Sequence, residues 1–92
     1  MNSEAATTVV PIDAANVDAS SADVDLTVLF ASQAFARGLR NGAASAAGMK
    51  VVTASGTTVT YANIPSGGSV FGQFVTLKHD AETTATGIVA ER

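Results

Sequence analysis

The sequence predicts an all-β fold, a small antiparallel β-sandwich or barrel-like domain with an extended N-terminal arm. Beyond residue 25 the chain consists of short runs of β-branched and aromatic residues separated by Gly-rich turns, which is typical of short antiparallel strands. The charge is also uneven, because residues 1–25 hold five acidic residues and all five Lys and Arg residues follow them. We therefore divide the chain into an acidic arm, residues 1–24, and a β domain, residues 25–92.

The arm is rich in Ala, Ser, Thr and Asn, and its one apolar cluster consists of Val9, Val10 and Ile12 around Pro11. Such a segment buries too little apolar surface to offset the entropy lost on ordering. We expect the arm to order only on a partner, with Val9, Val10 and Ile12 as its apolar contacts. Its removal should leave the secondary structure of the β domain intact. The alternative is a frayed terminus.

Within the β domain, a tight turn at Ser55–Gly56 is predicted to join strands at 49–54 and 57–62, since Gly supplies the positive φ that such turns require. In the second strand Val59 and Tyr61 share one face, while Thr58 and Thr60 share the other. A turn is expected at 64–68. The remaining strands are predicted at 26–30, 36–40, 70–78 and 87–91.

The segment 26–37 is ambiguous between strand and helix. Its Ala-rich sequence favours a helix that Asp25 could cap. Glycines at 38, 42 and 48 would interrupt such a helix, and Thr27 and Val28 prefer strands. We favour a strand at 26–30, a short strand at 36–40 and then a loop.

The content of large apolar residues is low, since Leu, Ile, Val and Phe together contribute only about a quarter of the 92 residues. No Cys is present to crosslink the chain. A domain of this size is marginal alone. We therefore expect an obligate homo-oligomer.

No pattern in the sequence predicts a catalytic, metal-binding or cofactor-binding residue, and we expect no cofactor and no enzymatic activity. His79 is the only histidine, and no nucleophile-elbow motif accompanies it. Asp23 and Asp25 lack the later Gly and Glu of a calcium loop, and Gly67–Gly68 lacks the Lys of a phosphate loop. The net charge of -3 argues against nucleic acid as a partner. No apolar run approaches the roughly 20 residues of a membrane span.

Arg37, Arg40 and Lys50 form a candidate basic patch. One interpretation is a solvated sheet edge that discourages aggregation. The other is a docking patch for an acidic neighbour, such as the acidic arm of another copy.

Four motifs follow one another in the second half of the chain: Ser55–Gly56, Thr58–Tyr61 (TVTY), Asn63–Gly67 (NIPSG) and Thr83–Ala90 (TTATGIVA). Over residues 35–91 this succession resembles the head-spike base proteins of bacteriophages and gene transfer agents. The chain departs from the pattern at Glu82, where such proteins usually have Gly, and at Glu91, where they usually have a large apolar residue.

The resemblance implies a structural protein on the capsid surface of a virion, a head-spike base or vertex protein that forms a symmetric ring. Its implied partners are other copies of itself, the major capsid protein and a spike fibre protein. Alternatives are a decoration (cement) protein that clamps major capsid subunits, or a tail or neck component. A carbohydrate-binding or enzymatic module would require aromatic or acidic residues gathered in a pocket, and the chain has one Tyr and no Trp.

Overall fold

A computed structural model describes residues 13–31 and 33–92. These residues form seven strands and one 3-10 turn, and all the strand pairings are antiparallel. No described helix is long and apolar enough to cross a membrane. The strands are β1 (Ala14–Val17), β2 (Val24–Asp25), β3 (Ala36–Arg40), β4 (Ala47–Thr53), β5 (Thr58–Ile64), β6 (Ser69–Leu77) and β7 (Ile88–Glu91), and the 3-10 turn is Leu26–Val28.

The sheet has the strand order β1-β7-β3-β6-β4-β5, and β2 pairs with the end of β6. The long strand β6 joins the two halves, because its residues 69–74 pair with β3 and its residues 74–77 pair with β4. Both pairings contain a register shift. Irregularities of this kind bend a strand and allow it to serve two layers. The unclosed sheet confirms the predicted all-β class and fits a small sandwich-like domain.

The core lies around Phe74, whose ring is fully buried and packs edge to face against Tyr61 with 6.2 Å between ring centroids. Every strand of the sheet contributes an apolar side chain to this cluster or packs one against it. Burial of apolar surface therefore holds the strands together. The largest other fully buried apolar residues are Leu26, Leu39, Met49, Val51, Leu77 and Ile88.

Asn41 is the one polar residue buried in the described part of the chain. Its side-chain Nδ2 donates to the carbonyl oxygens of Ile64 (2.9 Å) and Ser45 (3.0 Å), and its Oδ1 accepts from the backbone N–H of Ala43 (2.9 Å). A buried amide is tolerated when its polar atoms are bonded. Asn41 therefore fastens the loop after β3 to the turn between β5 and β6.

The predicted hairpin is confirmed. Gly56 has φ +88° in the turn between β4 and β5. Val59 and Tyr61 are half-buried, whereas Thr58 and Thr60 are exposed. The strands predicted at 36–40, 70–78 and 87–91 correspond to β3, β6 and β7, and the turn at 64–68 is present with Gly67 at φ +74°.

The strand predicted at 26–30 is wrong. The chain there makes the 3-10 turn and an isolated bridge from Phe30 to Gln33, and Asp25 caps the turn by accepting the backbone N–H of Thr27 at 2.9 Å. Asp side chains bond nearby backbone donors and so compete with a strand ladder. The alternative prediction, a helix capped by Asp25, has the correct cap, but the helix is a 3-10 turn that ends after three residues. The turn buries Leu26 completely.

The boundary between arm and domain at residue 24 is also wrong. Strand β1 pairs with β7 over four residues, and Ala19 is buried in the core. The four residues of β1, most of which have weak strand propensity, form a strand because β7 offers them an unpaired edge. Residues 13–24 therefore belong to the β domain, whereas Val9, Val10 and Ile12 lie outside the described residues.

Candidate interaction surfaces

The acidic residues near the N-terminus bind the chain to itself. The Asp13 carboxylate lies 2.7 Å from the Arg92 guanidinium. The Asp23 carboxylate lies 3.2 Å from the Lys78 ammonium and accepts the His79 backbone N–H at 2.7 Å. These contacts attach both ends of the segment 13–23 to distant strands. They leave those two carboxylates already occupied within the chain.

Local turns use two more of these carboxylates. Asp18 accepts the backbone N–H of Ser20 at 2.9 Å, as Asp25 does for Thr27. Hydrogen bonds from Ser20 lower the pKa of Asp18, and those from Thr27 lower the pKa of Asp25, because both stabilise the charged form. Of the five acids counted in the N-terminal 25 residues, only Glu4 lies outside the described part. The docking of the arm through Val9, Val10 and Ile12 stays a prediction.

The contacts of His79 join two segments of the chain. Its side chain is exposed, and its Nδ1 lies 2.9 Å from the carbonyl oxygen of Ala19. Together with the bond from its backbone N–H to Asp23, this contact fastens residues 19–23 beside the end of β6. Within the described residues, no group of three or more His, Asp or Glu side chains could hold a metal ion.

The structure separates Lys50 from the two arginines of the predicted patch. Lys50 lies on β4, and β6 stands between that strand and the β3 strand of Arg37 and Arg40. The Lys50 ammonium lies 3.4 Å from the Glu82 carboxylate and 3.6 Å from that of Asp80. Arg37 and Arg40 are exposed and form no ion pair with any residue that the structure describes.

Phe71 on β6 is the most exposed large apolar side chain of the described residues, at 73%. Its ring lies over Gly38, where a Cβ would come within 3.2 Å of it. Gly38 pairs with Phe71 on one side and with Glu91 on the other, and Arg40 pairs with Ser69 two positions further along. We call these residues the Phe71 surface: Gly38, Arg40, Ser69, Phe71 and Glu91.

Phe71 was not predicted to be an exposed residue. A Phe in the longest strand resembles a core residue, and Phe74 in the same strand is one. The available signal was the spacing, since residues three apart on a regular strand point to opposite faces. With one of the two phenylalanines in the core, the other is expected outside.

A groove of about 530 Å³ lies between residues 16–20 and 83–88. Two of the threonines that line the groove accept hydrogen bonds from the backbone of β4. Thr83 Oγ1 accepts the Lys50 N–H at 3.0 Å, and Thr84 Oγ1 accepts the Gly48 N–H at 2.9 Å. These hydroxyls fasten the loop after β6 onto β4. The groove contains no aromatic side chain among its lining residues.

The two ends of the strand order, β1 and β5, each leave one side without a partner strand within the described residues. Together with the Phe71 surface, these open edges are the features that a protein partner could contact. Comparison of the chain with protein-family models, curated proteins and solved structures finds no match.

Proposed function

We propose that the chain is a non-enzymatic structural subunit of a bacteriophage virion, a head-spike base or vertex protein. In this function it forms a symmetric ring on the capsid surface and carries a fibre. The structural observation that carries the proposal is the Phe71 surface, and the assignment to virions comes from the resemblance of residues 35–91.

The Phe71 surface has the composition of a protein-docking site. Large apolar side chains are normally withdrawn from water, and burying one fully contributes about 1.5–3 kcal/mol. Aromatic and Arg side chains are the residues that most often dominate interface energies. Phe71 presents its ring on the same face of the sheet as Arg40, which forms no ion pair with any described residue. A partner that encloses the ring and offers a carboxylate to Arg40 would gain both contributions.

Several other charged side chains hold the fold. Lys50 bonds Asp80 and Glu82, and Lys78 bonds Asp23. This use of charge suits a subunit whose task is to keep its shape and present surfaces. The major capsid protein is the partner we assign to the Phe71 surface.

The experiment compares two serine substitutions in particles purified from a strain that carries the variant gene. Phe71→Ser removes the exposed ring, and Val28→Ser is the matched control because Val28 is the other exposed large apolar residue, at 52%. We expect Phe71→Ser to reduce incorporation into particles roughly 10-fold or more, which corresponds to the lost burial of one Phe. Val28→Ser should be incorporated as the parent is.

Equal incorporation of the two variants would contradict docking through the Phe71 surface. A reconstruction of the particles tests the location. Density for this chain at the fivefold vertices supports the head-spike base. Density between major capsid subunits across the shell supports a decoration protein instead, and density at the neck supports a tail component. Particles that lack the chain overturn the virion proposal.

A further inference from the structure

We infer that copies of this chain join head to tail through their sheet edges, the open edge of β5 in one copy pairing with the open edge of β1 in the next. The inference deepens the proposed function and rests on its ring of identical copies. It names the two surfaces that would build the ring.

Both edges lack two of the devices that protect a strand from pairing, charged residues and Pro, although β1 has only four residues and the β4–β5 pairing contains a register shift. Natural edge strands carry charges or Pro that prevent association with another strand. Neither Ala14–Val17 nor Thr58–Ile64 contains a charged residue or a Pro. The β5 edge is also seven residues long. Such an edge favours the addition of a further strand.

The backbone groups on the two edges have matching spacing. In β5, the Thr53 N–H donates to the Thr57 carbonyl oxygen, so alternation turns the backbone of Val59 towards β4 and that of Thr58 and Thr60 outwards. In β1, the Arg92 N–H donates to the carbonyl oxygen of Asp13.

The same alternation turns the backbone of Ala15 and Val17 towards β7. It leaves the N–H and C=O groups of Ala14 and Asn16 pointing outwards. Each edge therefore presents two residues, two positions apart, whose backbone groups are ready to pair.

The side chains on both edges leave the core incompletely covered. Val59 and Tyr61 on β5, and Ala15 and Val17 on β1, pack against the core but are only half-buried. Within the described residues the sheet ends beside them, so no described strand covers their outer flank. Pairing β5 with β1 of another copy would bury all four. The small Ala15 opposite the large Tyr61 gives complementary volumes.

The direction of the strands makes the repetition self-consistent. The path from β1 to β5 contains six strands, and each pairs antiparallel with the next. An even number of alternating strands gives β1 and β5 opposite directions. A second copy in the same orientation therefore brings its β1 antiparallel to β5. Head-to-tail contacts of this kind generate closed rings when the rotation between copies closes.

The register follows from the faces of the strands. A shift by one residue would turn the core-facing side chains to the outer face. Pairing Ala15 with Tyr61 places Asn16 opposite Thr60, and both of these side chains are exposed on the outer face. Adjacent antiparallel strands hold opposite Cα atoms about 4.5–5.5 Å apart. This separation lies within the range that a disulfide spans.

The test uses the absence of Cys from the chain. The full-length double variant Asn16→Cys/Thr60→Cys is oxidised and run on a denaturing gel without reductant. We expect a ladder of covalent multimers that collapses to monomer on reduction. The matched control is Asn16→Cys/Ala44→Cys, because Ala44 is exposed in the loop after β3 and lies on neither edge. The control and each single-Cys variant should stay monomeric.

A second pair of variants tests the backbone contact. Thr60→Pro removes one outward N–H, whereas Thr60→Val keeps it and also loses the hydroxyl. By light scattering, Thr60→Pro should have a lower mass than Thr60→Val, with unchanged circular dichroism. Equal masses would overturn the inference.

The other outcomes are also decisive. Dimers of Thr60→Cys alone would show two β5 edges pairing with each other and overturn head-to-tail assembly. A disulfide within one copy, or a double variant that stays monomeric, would overturn it as well. If such a variant still enters particles, the proposed function stands without this interface. A ladder in solution with no chain in particles would support the interface and overturn the virion function.

Discussion

The β4–β5 hairpin and residues 13–30 are held in the same sheet by contacts of very different range. In the hairpin the strands follow one another directly, and the turn closes through the bond from Thr53 N–H to the Thr57 carbonyl oxygen. The segment 13–30 begins with the pair Asp13–Arg92, which joins residues 79 positions apart.

This difference in the range of the contacts shows what the acidic residues of the N-terminal segment do. A hairpin forms from its own turn and alternation, and the ion pairs of Lys50 on β4 join it to the loop after β6 rather than closing it. Residues 13–23 contain a single large apolar side chain, that of Val17, and this stretch is fastened by side chains that reach other strands, such as Asp13 and Asp23. Its charges act as tethers within the chain. The β4–β5 hairpin should therefore depend on local geometry, and residues 13–30 on the rest of the fold.

The largest expected effect is that of removing residues 1–24. This deletion strips β1 from β7, removes Ala19 from the core and cuts the Asp23 contact at the end of β6. We expect the free energy of unfolding to fall by about 3 kcal/mol or more, because several apolar contacts and a ladder are lost together. Thermal unfolding followed by circular dichroism measures it.

The control for this deletion is a chain that begins at Asp13. It retains every contact of the described N-terminal segment, so its unfolding midpoint should stay close to that of the parent. A chain without residues 1–24 that unfolds at the parental midpoint would restore the original division into arm and domain.

The sequence predicted the elements that local signals specify. The positive φ at Gly56 and the alternation in β5 are encoded within a few residues, and both are present. Strand β1 was missed because it is a strand only beside β7. The spacing puts Phe71 and Phe74 on opposite faces, but which of the two is exposed depends on where β6 passes from β3 to β4. Lys50 was grouped with Arg37 and Arg40 for a similar reason. The strand that separates them and the acids that bind Lys50 both come from parts of the chain that are distant in sequence.

Gly42→Ala tests how much a contact between two segments that are distant in sequence contributes to stability. The backbone of Gly42 crosses that of Gly87, and its N–H donates to the Thr86 carbonyl oxygen at 3.1 Å. A Cβ at Gly42 would overlap the carbonyl oxygen of Gly87, which is backbone and cannot rotate away. We expect a loss of about 3 kcal/mol in urea unfolding, typical of overpacking in a site that cannot yield. A loss below about 1 kcal/mol would mean that the crossing relaxes freely.

Gly56→Ala is the same substitution at a local position. No atom lies within 4 Å of a Cβ placed there, so the substitution meets no steric obstacle. Its cost arises only from the backbone conformation, with φ +88°, and should be about 1 kcal/mol. Gly56→Asn, which tolerates this conformation better, should lose less. A Gly56→Ala loss that equals the loss of Gly42→Ala would remove the distinction between local and distant constraints.

The smallest effect concerns the acid stability that Asp23 provides. The backbone N–H of His79 and the Lys78 ammonium lower the pKa of this exposed carboxyl below 3.8 in the folded chain. Unfolding removes both contacts, so the unfolded chain binds a proton at higher pH than the folded chain does. The stabilisation is therefore complete above the unfolded pKa and is lost as the pH falls through the folded pKa.

Asp23→Asn should accordingly show a smaller decrease in unfolding midpoint than the parent between about pH 5 and pH 2. Some decrease should remain, because hydrogen bonds also lower the pKa of Asp18, Asp25 and Asp80. The matched control is Lys78→Gln, which removes the ion pair and leaves the bond from the His79 backbone N–H. It should retain part of the parental decrease, because that hydrogen bond is the largest single cause of the shift. Parallel curves for the parent and Asp23→Asn would show that Asp23 does not act as a tether.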